Sequence, residues 1–177
     1  MKTLTDQLSQ YAAYHRDRRN IITHFVGIPM IVVAVAVLLS RPVLGHWGGV
    51  ALSPATAVTL ATVLYYLRLD LRLGAVMAAL MALCLWFAQA VAAQGTGTWL
   101  AIGIGLFLVG WVIQFIGHFY EGRKPAFVDD LVGLVIGPLF VVAEAGFLLG
   151  LRRALQHDIE ARVGPVREGP PARRTAL

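Results

Sequence analysis

The chain has 177 residues, of which 58% are hydrophobic and 14% are charged, and its net charge is +5. A soluble domain carries about one charged residue in four and cannot bury this much apolar surface, so the composition excludes an ordinary soluble domain and indicates a membrane protein. The single cysteine, Cys84, excludes a disulfide framework and a cysteine-based zinc site, and no aromatic or basic pattern indicates a nucleic-acid partner.

The N-terminal segment, residues 3–15, has a weakly amphipathic pattern. The residues that share one helical face are Leu4, Leu8, Tyr11 and His15. This spacing predicts a short helix that lies in the membrane interface. Asn20 closes the polar stretch that follows, and we expect it to be the N-cap of the first long helix.

Four apolar runs come next, each close to the roughly 20 residues that cross about 30 Å of hydrocarbon. They are residues 21–39, 48–67, 73–93 and 99–119. A fifth run, residues 131–151, contains Gly137-Pro138 at its middle and Glu144 in its second half. It is either one kinked span or two half-length helices that enter and leave on the same side. The predicted fold class is an all-α, polytopic integral membrane helical bundle, with four spans, a kinked or re-entrant fifth segment and an N-terminal interfacial helix.

Charge counting favours the re-entrant alternative for the fifth run. With four spans, eight Lys and Arg lie on the side of the N-terminus and one, Arg41, lies on the other side. Six more Lys and Arg follow residue 151. If the fifth run crosses the membrane fully, the side of the N-terminus has eight basic residues and the other side has seven. If the fifth run is re-entrant, the two sides have fourteen and one. The positive-inside rule then places both termini in the cytoplasm.

The domain prediction is a single membrane domain over residues 1–152. Residues 153–177 are expected to form a basic, partly disordered C-terminal tail, with the disorder beginning after about Val163. The Ala-, Gly- and Arg-rich composition suggests a bacterial protein, and hence a bacterial inner membrane with the polar stretches at its cytoplasmic face.

Three of the five histidines lie in the two polar stretches that flank the apolar body. His24 opens the first span and His118 closes the fourth, so the topology brings both to one membrane face. His15 precedes His24 by nine residues, and the two converge only if the chain bends between them. Three imidazoles with the nearby carboxylate of Glu121 suit a divalent transition metal with open coordination positions. The alternative for any one histidine is a helix–helix hydrogen bond or an interfacial anchor, and we assign that role to His46 and His157.

Two sequence elements at these residues resemble a known family. One is H-x8-H-x2-G-x-P, formed by His15, His24, Gly27 and Pro29. The other is GH-x2-EG-x2-PA, formed by Gly117, His118, Glu121, Gly122, Pro125 and Ala126, and it is followed by Pro138 and Glu144. Together they resemble the membrane-embedded 2-hydroxy fatty acid dioxygenases of yeast-type fatty-acid α-oxidation, over the chain to about residue 152.

The resemblance implies an iron(II)-dependent oxidoreductase that uses dioxygen to convert 2-hydroxy fatty acids to fatty acids one carbon shorter. It implies His15, His24 and His118 as iron ligands, with Glu121 as a ligand or as a support for one. Arg19, Arg123 or Lys124 could contact the carboxylate of the substrate, although basic residues here also fit the positive-inside pattern. The alternative function is a non-enzymatic lipid-binding or scaffold protein of the membrane with no metal.

Overall fold

The structure is a computed structural model that describes residues 2–125 and 131–169. In chain order its elements are α1 (Leu4–Ala12), α2 (Arg18–Leu39), β1 (Gly45–Trp47), β2 (Val50–Leu52), α3 (Pro54–Leu69), α4 (Leu71–Ala92), α5 (Thr96–Glu121), α6 (Val132–Leu148) and α7 (Arg153–Val163). Three helices, α2, α4 and α5, are long and apolar enough to cross a membrane. α6 and α7 reach that length only as a pair, which is bent by 115° at its break. The predicted all-α membrane fold class, with an N-terminal helix, is confirmed.

The first helix is fixed at its start by a capping box. The Thr3 hydroxyl accepts from the Asp6 amide, and the Asp6 carboxylate accepts from the Thr3 amide. The predicted apolar face is buried, and α1 packs against α6 and α7. His15 lies beyond the end of this helix at Ala12, but it is buried beside the same face.

The start of α2 corrects the predicted N-cap. The helix begins at Arg18, so Asn20 lies inside its first turn. Asp17 occupies the capping position, and its carboxylate accepts from the Arg19 amide at 2.9 Å. Capping by Asp17 leaves the Asn20 side chain available for a contact elsewhere in the molecule.

The second predicted span, residues 48–67, also begins later than expected. Residues 45–52 form a β-hairpin whose two turn residues, Gly48 and Gly49, have φ values of 56° and 82°. Two glycines with positive φ suit the tight turns that match the twist of a hairpin. The helix starts only at Pro54, after the Ser53 N-cap, and its 16 residues give a length of about 24 Å.

The chain divides into two compact units. One unit is Gly27–Val112, and the other comprises Met1–Val26 and Ile113–Leu177. In the Gly27–Val112 unit, Asp70 ends α3 and caps α4, and the two helices pack against each other. A small buried cluster in the same unit contains Ala36, Val37, Ala88 and Val91.

The other unit contains the fifth apolar run. α6 passes through Pro138 as one helix, so the chain is not divided at Gly137-Pro138 as the re-entrant alternative supposed. The break follows at residues 149–152, where Gly150 and Arg152 have φ values of 73° and 55°. α7 then returns along α1.

The described part of the C-terminal tail contacts the rest of its unit. Gly164 and Arg167 form hydrogen bonds with Arg16, Arg18 and Glu121. The disorder expected after about Val163 stays a prediction. Residues 170–177 lie outside the described residues.

Candidate metal centre

Three histidines come together in the unit formed by the two ends of the chain. His15 lies in the turn between α1 and α2, His24 lies in α2, and His118 lies near the end of α5. Their side chains are buried, with exposed fractions of 0%, 2% and 6%. The ring centroids are 4.4 Å (His15–His24), 5.0 Å (His15–His118) and 5.1 Å (His24–His118) apart. One ring nitrogen from each lies within 4.8 Å of the other two, which is close enough for one ion to bridge all three.

The backbone orients two of the rings. His15 Nδ1 lies 2.7 Å from the Tyr11 carbonyl, and His24 Nδ1 lies 2.8 Å from the Asn20 carbonyl. A carbonyl can only accept, so both Nδ1 atoms carry the proton and both Nε2 atoms carry the lone pair. Metal-binding histidines are usually held in this way, with the second ring nitrogen donating to a carbonyl or a carboxylate.

Two ring nitrogens of the cluster indicate whether a metal ion fits between the histidines. His15 Nε2 and His118 Nδ1 are buried and have no hydrogen-bond partner among the described residues. Buried nitrogens without partners are rare in folded proteins, since each one loses its hydration. A divalent ion bound by the three imidazoles would satisfy both atoms, so the donor set fits a metal such as iron(II).

The protonation state of His15 supports this interpretation. Burial lowers the pKa of His15 well below its usual value of 6.5, and the neighbouring rings of His24 and His118 lower that pKa further. The His15 ring is therefore neutral at pH 7, and the neutral ring is the form that binds a metal.

Aromatic side chains wall one side of the cluster. The Tyr11 ring stacks on the His15 ring with centroids 4.1 Å apart and planes within 6°. Phe140 of α6 lies 5.6 Å from the His15 ring and 5.0 Å from the Tyr11 ring. This apolar wall restricts how the His15 ring can turn and keeps water away from that side of the rings.

Glu121 lies one helical turn after His118, but hydrogen bonds occupy its carboxylate. Oε2 accepts from the Asp17 amide at 2.7 Å and from Asn20 Nδ2 at 3.1 Å, and Oε1 accepts from Arg167 at 2.7 Å. Within the described residues, the group whose ligand atoms could hold one ion contains the three histidines and not Glu121. The carboxylate joins the start of α2 to the end of α5.

Close approach of these two helices requires Gly117. A Cβ atom at this position would lie 2.5 Å from Asn20 Oδ1 and would also collide with the Thr23 hydroxyl. The absence of a side chain at Gly117 therefore lets the Asn20 turn of α2 pack directly on α5, next to His118.

The basic residues expected at the substrate head group have other contacts. Arg19 forms a two-point ion pair with Asp17, and its guanidinium lies 4.6 Å from the Tyr120 ring centroid. Arg123 donates to the Ala13 carbonyl at 2.8 Å. Lys124 is exposed beyond the end of α5, and Ala126 of the second motif lies outside the described residues.

The remaining two histidines are not part of the cluster. His46 is exposed in strand β1, and His157 is exposed on α7. Neither belongs to the group that could hold a metal.

Three polar contributors were not identified from the sequence: Arg16 and Gln114 are buried, and the Arg167 side chain is 37% exposed. Arg16 donates to Glu144 at 3.4 Å and to the Gly164 carbonyl at 3.1 Å. Gln114 lies one turn before His118 on the buried side of α5, and its Oε1 has no hydrogen-bond partner within residues 2–125 and 131–169. Arg167 reaches Glu121 from the C-terminal segment. Only the role of Arg16 could have been inferred from the sequence. Glu144 lies inside an apolar run, and a carboxylate in such a position needs a nearby cation.

Comparison with known proteins matches these residues to one family. The Mpo1-like family model, described as 2-hydroxy-palmitic acid dioxygenase Mpo1-like, matches residues 1–148. The chain is 30% identical over 165 residues to the 2-hydroxy-palmitic acid dioxygenase MPO1 of Saccharomyces cerevisiae, and the match covers 90% of this chain and 91% of the yeast protein. No solved structure matches the chain.

Proposed function

We propose that this chain, which belongs to the Mpo1-like family, is an iron(II)-dependent dioxygenase that shortens 2-hydroxy fatty acids by one carbon. The observation that carries the proposal is the cluster of His15, His24 and His118, in which two buried ring nitrogens have no hydrogen-bond partner in the part of the chain that the structure describes. The similarity to the yeast 2-hydroxy-palmitic acid dioxygenase supports the choice of substrate class.

The overall reaction balances without another reductant. A 2-hydroxy acid, R-CH(OH)-COOH, and O2 give R-COOH, CO2 and H2O. The bond between the carboxyl carbon and the 2-carbon breaks, and the 2-carbon becomes the new carboxyl carbon. The substrate supplies all four electrons that reduce dioxygen, so no 2-oxo acid is consumed.

The three histidines are the proposed iron ligands. When bound, iron(II) would supply the redox chemistry and a template on which the 2-hydroxy acid and dioxygen are brought together. Tyr11 and Asn20 hold the ring orientations of His15 and His24 through their backbone carbonyls. Glu121 is proposed as a residue that acts through Asn20 and Asp17, because its two oxygens already accept from protein donors.

Substrate binding would depend mainly on the head group. A fatty acid already dissolves in the bilayer, so burial of its acyl chain adds little net binding free energy. Arg19, Arg123 and Lys124 are the proposed contacts for the carboxylate, because each carries a positive charge near the start of α2 or the end of α5, the helices that hold His24 and His118.

We also propose a location for the centre. The basic residues that accompany the first span and follow the fifth helix favour the cytoplasmic side of the membrane. A bacterial inner membrane fits the amino-acid composition, with surrounding lipids as the other partners.

One experiment tests the function directly. The protein purified in detergent is analysed for metal, loaded with iron(II) under anaerobic conditions and given 2-hydroxypalmitate, with palmitate as the matched control. We expect one O2 consumed for each CO2 and each pentadecanoate formed, and none with palmitate. Absence of bound metal together with no oxygen consumption would instead indicate a lipid-binding or scaffold protein.

A further inference from the structure

The C-terminal segment that follows α7 contacts the turn that carries His15. We call residues 164–168 the C-terminal strap. The Arg167 amide donates to the Arg16 carbonyl at 2.7 Å, and the Arg18 amide donates to the Arg167 carbonyl at 2.9 Å. These two bonds form a short parallel β-bridge between the strap and the chain immediately after His15.

The strap lies outside the residues that the family model matches. The family model matches residues 1–148, and the strap begins sixteen residues later. Its contacts are therefore a feature of this chain that the family match does not account for.

The Arg167 side chain extends from the strap to Glu121. Its Nη2 atom donates to Glu121 Oε1 at 2.7 Å, and the Glu121 side chain is only 1% exposed. A buried carboxylate with an arginine partner is held by a short, charge-assisted hydrogen bond. This bond leaves Oε2, the other oxygen of Glu121, directed toward the start of α2.

From Glu121 the hydrogen bonds continue to a proposed iron ligand. Oε2 accepts from Asn20 Nδ2, and the Asn20 carbonyl accepts from His24 Nδ1. Oε2 also accepts from the Asp17 amide, two residues after His15. Arg167 is thus joined to His24 by three consecutive hydrogen bonds and to the His15 turn by its backbone.

We propose that Arg167 is a positioning residue for the histidine cluster, acting through Glu121 and Asn20 on His24. This inference rests on the proposed function, because it takes the three histidines as a metal site. Residues that support metal ligands from outside typically change metal affinity by about 10- to 100-fold when they are replaced.

The test measures metal affinity, which does not depend on turnover. Metal-free, full-length protein in lipid nanodiscs is titrated with Co(II), and the visible absorption of bound Co(II) gives both the affinity and the ligand geometry. We expect Arg167→Gln to weaken Co(II) binding about tenfold and to alter the spectrum. Arg167→Lys keeps a positive charge near Glu121 and should recover part of the loss.

Two matched controls distinguish a specific effect of Arg167 on the histidine cluster from a general destabilisation of the C-terminal segment. Arg18→Gln removes an exposed ion pair between Arg18 and Glu168 of the same strap. Arg162→Gln removes the ion pair between α7 and Asp6 of α1. Both variants should bind Co(II) within about twofold of wild type, because neither side chain is hydrogen-bonded to Glu121, Asn20 or His24.

A double-mutant cycle tests whether the effect passes through Glu121. Once Glu121→Gln has removed the charged partner, adding Arg167→Gln should cause little further loss of affinity. Three results would overturn the proposal. The losses of Co(II) affinity in Glu121→Gln and Arg167→Gln could be fully additive in the double variant, or Arg167→Gln could bind Co(II) within about twofold of wild type. The Arg162→Gln control could also lose as much affinity as Arg167→Gln. A wild-type chain that binds no Co(II) would overturn it together with the ligand set. A chain that binds Co(II) as described but does not turn over 2-hydroxypalmitate would contradict only the proposed reaction.

Discussion

The side chain of His24 donates through Nδ1 to the carbonyl of Asn20, one helical turn earlier and 2.8 Å away. The same residue, Asn20, donates through its side chain to Glu121 at the end of α5. One asparagine therefore fixes the ring of a proposed ligand with its backbone and ties two helices together with its side chain. The geometry of the histidine cluster thus depends on residues that are not part of the cluster.

Replacement of any one of the three clustered histidines should remove the metal. His15→Ala, His24→Ala and His118→Ala each leave two imidazoles, which bind a divalent ion much more weakly than three. We expect the bound iron to fall from about one to below about 0.2 per chain, with turnover lost in parallel. Elemental analysis and oxygen consumption measure both, and His157→Ala, which changes an exposed histidine, serves as the control. Retained turnover in all three variants would exclude this ligand set.

Glu144 should stabilise the folded protein by its ion pair with Arg16. The two side chains are only 11% and 7% exposed, so Glu144→Ala leaves a buried guanidinium without its carboxylate. Loss of one partner of a buried pair costs about 3–5 kcal/mol, and Glu144→Gln should cost less because the amide oxygen still accepts. Thermal unfolding in detergent measures the difference. Equal melting temperatures for the two variants would show that Arg16 does not need this acceptor.

Gly117→Ala should disturb the centre by steric conflict. The added methyl group would overlap the Asn20 and Thr23 side chains, and overpacking of this kind costs about 1–3 kcal/mol. We also expect weaker metal binding, since Asn20 has to shift. Gly105→Ala on the same helix is the matched control, because a Cβ atom at that position has no described neighbour within 4 Å. If both variants unfold at the same temperature and bind the same amount of metal, the close approach at Gly117 is not required.

The metal-free protein should lose stability as the pH falls below 6.5. Burial holds the pKa of folded His15 well below 6.5, whereas His15 in the unfolded chain titrates near that value. Below pH 6.5 the unfolded chain binds a proton that the folded protein does not, so acid favours unfolding, and stability rises again as the pH is raised to 6.5.

Melting temperatures between pH 7.5 and pH 5 measure this dependence. His15→Gln should show a shallower decline than wild type, whereas His157→Gln should retain the full decline. An unchanged slope in His15→Gln would mean that His15 is protonated in the folded state.

Much of the fold could be predicted because it depends on local sequence. The lengths of the apolar runs identified α2, α4 and α5, since a chain in hydrocarbon must satisfy its backbone hydrogen bonds within each helix. The hairpin at Gly48-Gly49 was not predicted, because both glycines were included in the apolar run of residues 48–67. A pair of glycines between short apolar segments is nevertheless a recognised hairpin signal.

The amino-acid sequence by itself determined that the chain is a helical membrane protein, and it predicted that His15, His24 and His118 come together. The tertiary structure decided that His15 turns toward the other two rings, and that Glu121 is held by Asp17, Asn20 and Arg167. Run length and spacing are properties of neighbouring residues, so a sequence displays them directly. The partner of a buried carboxylate depends on which distant segments pack together, as Arg167 and Glu121 do across 46 positions of the chain.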